Sequence, residues 1–238
     1  MNKFWKWKPP EISNDADSGD QTTRVLELYG TISDQSWYDD DITPAMFRDE
    51  LFSGTGPVTI WICSPGGDCV AASQIYTMLM DYKDDITVKI DGIAASAASV
   101  IAMAGTKVLM SPTATMMIHN PATLAFGDHT DMSKAIDMLS EVKESIINAY
   151  ELKTSLPRKQ LAKMMDETTW MNAKKAIELG FADGMLTDEK RTADDTEAYA
   201  FSACAVDMAL INKLKKDMPK SEGRSVNDLR ASLYKKLL

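Results

Sequence analysis

Val58-Thr59-Ile60-Trp61-Ile62 is a near-continuous apolar run, closed by the turn Ser64-Pro65-Gly66-Gly67. A run of this length bounded by glycines suits a strand buried on both faces. The segments after the turn fix the class. Val70, Ile75, Met78, Leu79 and Tyr82 recur at helical spacing, so residues 70–82 read as a helix. Ile86-Thr87-Val88-Lys89-Ile90 is the next strand, and residues 94–104, rich in Ala and Ser, read as a tightly packed helix ended by Gly105. Residues 107–110 and 115–118 are two further strands. Strand–helix–strand repetition of this kind implies an α/β domain with a largely parallel sheet.

The flanking segments extend the pattern. Val25 to Gly30 alternates as a strand does, and residues 44–52 form a short helix with Pro44 in its first turn. Met132, Ile136, Leu139, Val142, Ile146 and Tyr150 make residues 130–153 one long amphipathic helix. Pro157 opens another helix through about Met165, and Asn172 and Gly180 are a fitting N-cap and stop for a short one between them. Order begins near Arg24, which divides the chain into a mobile arm (1–23), a folded domain (24–188) and an extension (189–238). The arm is polar, but Phe4, Trp5 and Trp7 stand in it, either to adhere to a partner or to pack back on the body. The extension reads as a polar linker and two helices, 203–218 and 225–238, with an excess of Lys and Arg. That excess either docks an acidic partner or is a solvated face.

At 238 residues the chain can bury a full core. Its net charge of −9 argues against a nucleic-acid binder, which needs a basic surface. Three irregularly spaced cysteines with no C-x-x-C pair make neither a disulfide framework nor a zinc site, so a reduced, cytoplasmic setting is expected. No secretory signal opens the sequence, and no apolar run reaches the roughly 18 residues of a membrane span. With two histidines in separate contexts, a metal site has little to build on, and no cofactor is implied.

The polar residues at the strand ends suggest acyl-transfer chemistry. The pair Gly66-Gly67 lets the backbone take positive φ and turn an N–H toward a ligand oxygen. Ser96 sits where strand gives way to small-residue helix, a place that presents a nucleophile, and the adjacent Ala97 N–H is a natural second oxyanion donor beside that of Gly67. Ser99 stands in a repeat of the same Ala-Ala-Ser pattern, and sequence chemistry alone does not separate the two serines. A position one turn on favours burial of Ser99 in helix packing. His119 follows a short apolar strand, whereas His129 lies in a polar stretch that reads as a loop before the long helix. His119 is therefore the candidate base.

Ser-Pro-Gly-Gly at 64–67, Gly-x-Ala-Ala-Ser at 92–96 and Met-Ile-His-x-Pro at 117–121 together resemble the proteolytic subunit of the Clp protease. Gly105 and the segment AIELGFAD at 176–183 fit too, and the likeness covers about residues 24–188. The resemblance implies the ClpP/crotonase-like spiral of β-β-α units with a projecting long helix. It implies Ser96 as nucleophile, His119 as base and then acid, and Gly67 and Ala97 as the oxyanion hole. It implies stacked homo-oligomeric rings, commonly heptamers, with the 130–153 helix at the contact between rings, and protein or peptide substrates.

Two departures matter. The family's third triad member, an acid, falls on Thr168; Glu167 or Asp166 would serve after a shift of one or two residues, or else Thr168 or a backbone carbonyl must orient His119. The axial loop that grips an AAA+ ATPase has no counterpart before Arg24, and the N-terminal arm with the extension beyond 188 looks like the phage head maturation (prohead) proteases. The resemblance therefore implies a serine endopeptidase that cuts capsid and scaffold proteins without ATP. The alternatives are an ATPase-driven Clp proteolytic subunit, a lysine-base peptidase, an acyl-CoA enzyme of the crotonase type, and an inactive relic that scaffolds the capsid.

Overall fold

The structure, a computed structural model, describes residues 3–13, 21–32 and 44–186. The linker, the two C-terminal helices and the basic tail expected beyond 188 lie outside the described residues. The elements are β1 (Trp5–Ser13), β2 (Gln21–Tyr29), α1 (Pro44–Phe52), β3 (Val58–Ser64), α2 (Cys69–Met80), β4 (Ile86–Ala95), α3 (Ala97–Ala102) and β5 (Lys107–Met110). They continue as β6 (Thr115–Ile118), α4 (His129–Thr154), α5 (Arg158–Asp166), β7 (Thr169–Asn172), α6 (Ala173–Glu178) and β8 (Gly184–Met185).

The described strands join in one sheet of order β1-β2-β3-β4-β5-β8, with β6 branching from β4 and β7 from β6. All pairings are parallel except β1 with β2 and β6 with β7. This is the mixed α/β architecture with mostly parallel strands that the sequence pattern implies. Leu26, Ile60 and Val88 stand in register across β2, β3 and β4, and Leu28, Ile62 and Ile90 repeat the row two residues on. These rows are buried, as are Ala71, Ala72, Ile75 and Leu79 of α2 and all six residues of α3. Residues alternate sides along a strand, so the other side of β3 carries Thr59 and Trp61, also buried, with the Lys89 ammonium 5.3 Å from the indole. The strand is thus covered on both faces.

β4 forks the sheet. Its residues Thr87 to Ile90 pair with β5, and Ile93 to Ala95 pair with β6. Between them the register against β3 shifts, Ile62 facing Ile90 but Ser64 facing Ala94, so β4 bulges there. Gly92 lies in the bulge, where a Cβ would come within 2.8 Å of Cys63 Sγ. The expected helix over 94–104 is corrected accordingly. The strand runs to Ala95, and the helix is confined to Ala97–Ala102, because pairing with β6 overrides the helical preference of alanine.

The mobile arm is corrected as well. Residues 5–13 form β1, antiparallel to β2, and of the two readings of the aromatics the packing one holds for Phe4 and Trp5. Trp5 sits edge-on to Phe4 at 4.9 Å and to Phe47 of α1 at 5.4 Å, and its indole N–H donates to Glu50 over 2.7 Å. These aromatic side chains are thus part of the core. β2 correspondingly begins at Gln21, ahead of Arg24.

The long helix α4 begins one residue early, with His129 as its first residue and not in a loop. Asp128 makes the capping box: its carboxylate accepts from the N–H groups of Thr130 and Asp131, and Asp131 reaches back to the Asp128 N–H. Asn172 caps α6 through the Lys175 N–H, and Gly180 ends it at φ 80. No helix among the described residues is long and apolar enough to cross a membrane.

Candidate active site

Strand pairing brings the candidate residues together. Ala95, the last residue of β4, pairs with Met117 of β6, and the Ser96 N–H donates to the Met117 carbonyl over 2.8 Å. Ser96 therefore leaves the ladder beside the end of β6, and His119 comes directly after Ile118, the last residue of that strand. Ser96 Oγ lies 2.7 Å from His119 Nε2. The pair is part-buried.

The backbone at Ser96 is strained, with φ 53 and ψ −125 outside the regions ordinary L-residues favour. Such a conformation costs of order 1–3 kcal/mol and persists only where its surroundings enforce it. Here the Ser96 N–H is held by Met117, and its carbonyl accepts from the Ser99 N–H at 3.0 Å and the Ser99 hydroxyl at 2.5 Å. Ser99 is fully buried, its hydroxyl also 2.8 Å from that of Tyr150. The structure thus separates the two serines: only Ser96 meets the histidine.

The glycine turn packs directly on this corner. Gly66 is at φ 99 and Gly67 at φ 150. A Cβ on Gly66 would fall 2.7 Å from Ser96 Cβ and 3.0 Å from Ala97 N, and one on Gly67 would fall 1.8 Å from the Ile32 carbonyl oxygen. Ile32 clamps the turn, donating to the Gly66 carbonyl at 2.9 Å and accepting from the Asp68 N–H at 2.8 Å. These bonds leave out the amides of Gly67 and Ala97, neither of which meets a backbone acceptor in the turns and caps among the described residues. A narrow cavity beside the pair is lined by Ser96, Ala97 and His119, with Ala72, Val100 and Ile146 supplying apolar walls. Cys69 also reaches it, and burial pushes its thiol above the ordinary range, so it is no ready thiolate.

The three candidates for the third position differ in their partners and backbone. Asp166 ends α5, and its Oδ1 accepts from Asn120 Nδ2 at 2.8 Å and from Lys143 Nζ at 2.6 Å. Those two donors, Asn120 foremost, hold its carboxyl below the usual range. Glu167 pairs with Lys163 at 3.7 Å. Thr168 sits at φ 51, in the turn that enters β7. The antiparallel register ends with Ile118 facing Thr169, the neighbours of His119 and Thr168. His129 is exposed at the start of α4.

Three neighbours of the site carry no sequence motif: Asn120, Lys143 and Tyr150. Asn120 could be found from its place next to His119, but its partner Asp166 lies 46 residues on. Tyr150 reads in sequence only as another apolar position of the long helix.

The comparisons with known proteins agree with this fold. The family model described as Clp protease matches residues 20–189. The chain is 30% identical over 170 residues to ATP-dependent Clp protease proteolytic subunit 2 of Treponema denticola, which covers 71% of this chain and 84% of that protein. It is 32% identical over 133 residues to the protein of the same name from Thermobifida fusca, covering 55% of this chain and 66% of that one. A third relative, ATP-dependent Clp protease proteolytic subunit 1 of Chlamydia muridarum, is 30% identical over 141 residues, covering 58% of this chain and 73% of its own length.

Proposed function

The chain belongs to the Clp protease family, a family of serine peptidases, and from that premise we propose that it hydrolyses peptide bonds with Ser96 as nucleophile and His119 as general base. The 2.7 Å contact between Ser96 Oγ and His119 Nε2 carries this reading. With the ring proton on Nδ1, Nε2 takes the hydroxyl proton as Oγ bonds to the substrate carbonyl carbon. The oxyanion that forms is met by the N–H groups of Gly67 and Ala97. The imidazolium then returns its proton to the leaving amine as the C–N bond breaks, and a water repeats the sequence on the acyl-enzyme.

We propose Thr168 for the third position, because it adjoins Thr169, which ends the β6–β7 ladder opposite Ile118, while Asp166 and Glu167 pair with Lys143 and Lys163. A hydroxyl or a carbonyl there orients the imidazole but stabilises imidazolium less than a carboxylate does, so turnover is slow. A fluorophosphonate probe tests the dyad. Labelling should map to Ser96 and vanish in His119→Ala; labelling of any other serine would overturn the assignment.

For the biological role we propose a head maturation protease of the phage type. In this role it is a homo-oligomeric ring acting in the cytoplasm on capsid and scaffold proteins, without ATP. What supports it is the likeness of the N-terminal segment, whose residues 5–13 pair with β2, and of the extension beyond 188 to that branch. The relatives' names favour a second reading, the proteolytic subunit of an ATP-dependent complex. Cleavage of scaffold protein by the purified chain alone supports the first. Degradation of a folded substrate only with an added AAA+ ATPase supports the second.

A further inference from the structure

Tyr150 is one of three buried residues on α4, and its ring stacks edge-on against Phe181 at 5.5 Å. Its hydroxyl is 2.8 Å from Ser99 Oγ, and Ser99 Oγ is 2.5 Å from the carbonyl oxygen of Ser96. A serine hydroxyl has one proton, and the contact to a carbonyl oxygen uses it. The phenol must therefore donate to Ser99 Oγ. The order is fixed: Tyr150 O–H to Ser99 Oγ, Ser99 O–H to Ser96 C=O. Burial pushes the phenol pKa well up, so that proton is retained across the working pH range.

The Ser96 carbonyl belongs to the same planar peptide as the Ala97 N–H, and in a trans peptide the two point in opposite directions. Fixing the carbonyl toward Ser99 and Tyr150 fixes the N–H toward the other side. The flanking residue is strained, so this peptide plane needs an external hold. A rotated plane would turn a carbonyl dipole into the oxyanion site and abolish one of its two donors. We propose that the Ser99 and Tyr150 hydroxyls form a latch that holds the Ser96–Ala97 peptide with its N–H facing the reacting carbonyl. Both are then positioning residues for the oxyanion hole. The latch rests on the serine-peptidase reading above. It also ties that hole to α4, the helix that supplies Ile146 to the cavity wall.

The test compares the full-length chain with Tyr150→Phe and Ser99→Ala. The substrate is a fluorogenic peptide amide that the wild-type chain hydrolyses, and the transition-state analogue is the matching peptide boronate. Removing an oxyanion donor outright costs roughly 100- to 1,000-fold in kcat. The Ser99 N–H still holds the carbonyl, so each variant should lose roughly tenfold in kcat with KM changed by less than about twofold. Boronate affinity should fall by the same factor. The double variant should lose no more than the worse single one, because the two hydroxyls act in series. Unchanged kcat in both variants, or a loss confined to KM, overturns the latch. Labelling of wild-type Ser96 by a fluorophosphonate is the control for the underlying reading. A wild type that neither labels nor hydrolyses overturns that reading and the latch with it, whereas a labelled wild type with full-rate variants overturns the latch alone.

Discussion

Thr168 is the residue on which the rate of the proposed chemistry turns. A carboxylate behind the histidine of a serine peptidase is worth up to about 10,000-fold in kcat where the geometry is complete. Thr168→Asp should therefore raise kcat for a peptide amide by about tenfold or more. An unchanged rate in steady-state hydrolysis would mean that another group already orients His119. Asp91 makes a second residue-scale prediction. Burial, its main cause, raises the pKa to about 6 from 3.8, although the Tyr29 hydroxyl donates to it over 2.6 Å. The folded protein thus keeps a proton that the unfolded chain gives up. That favourable contribution is complete below about 3.8 and is lost as pH climbs through 6. Asp91→Asn has no such loss, so its melting temperature relative to wild type should be higher at pH 7 than at pH 4. A pH-independent difference would refute the assignment. At this scale the sequence was most legible for Ser96, His119 and Gly67, because each sits where a strand ends and a motif marks it. Tyr150 was illegible because its role is a hydroxyl contact 51 residues away in the chain.

Among elements, α4 and the glycine turn make the clearest predictions. Asp128→Ala removes the capping box of α4 and should cost about 1 kcal/mol in urea unfolding. Gly67→Ala asks for a Cβ 1.8 Å from the Ile32 oxygen at φ 150. The turn must break its clamp to Ile32, with a loss above the ~1 kcal/mol of an ordinary backbone substitution, together with the activity. A Gly67→Ala variant that is as stable and as active as wild type would remove the turn from the site. Strands 107–110 and 115–118 and the helix 44–52 were read from sequence with their observed bounds, since each is short and fenced by Pro or Gly. β7 and β8 were not: β7 has polar ends and an exposed Trp170, so it lacks an apolar run, and β8 is only two residues. The 94–104 segment misled for the opposite reason: alanine's helical preference is a local signal, and the pairing with β6 that overrides it is not.

At the scale of the molecule, the N-terminal strand changes how the described part of the chain is bounded. Trp5 is 2% exposed and joins β1 to α1 through Phe47 and Glu50. Trp5→Ala should cost about 3–5 kcal/mol in a denaturant titration, as a buried core tryptophan does. A surface-like loss below about 0.5 kcal/mol would restore the arm. The polar composition of the first 22 residues hid this, because the strand's pairing partner and the pocket for its aromatics both lie later in the chain.

The junction between Ala95 and Met117 has a mechanical consequence. Nucleophile and base are 23 residues apart, yet they stand on adjoining rails of one ladder, bolted by the Ser96 amide to the Met117 carbonyl. The strand ends that carry the two cannot part without unzipping paired backbone, so the ladder sets how far apart their backbones stand. Any control over turnover has to act on what is not bolted to that ladder: the tilt of one peptide plane, the turn behind the imidazole, or the route by which substrate reaches them.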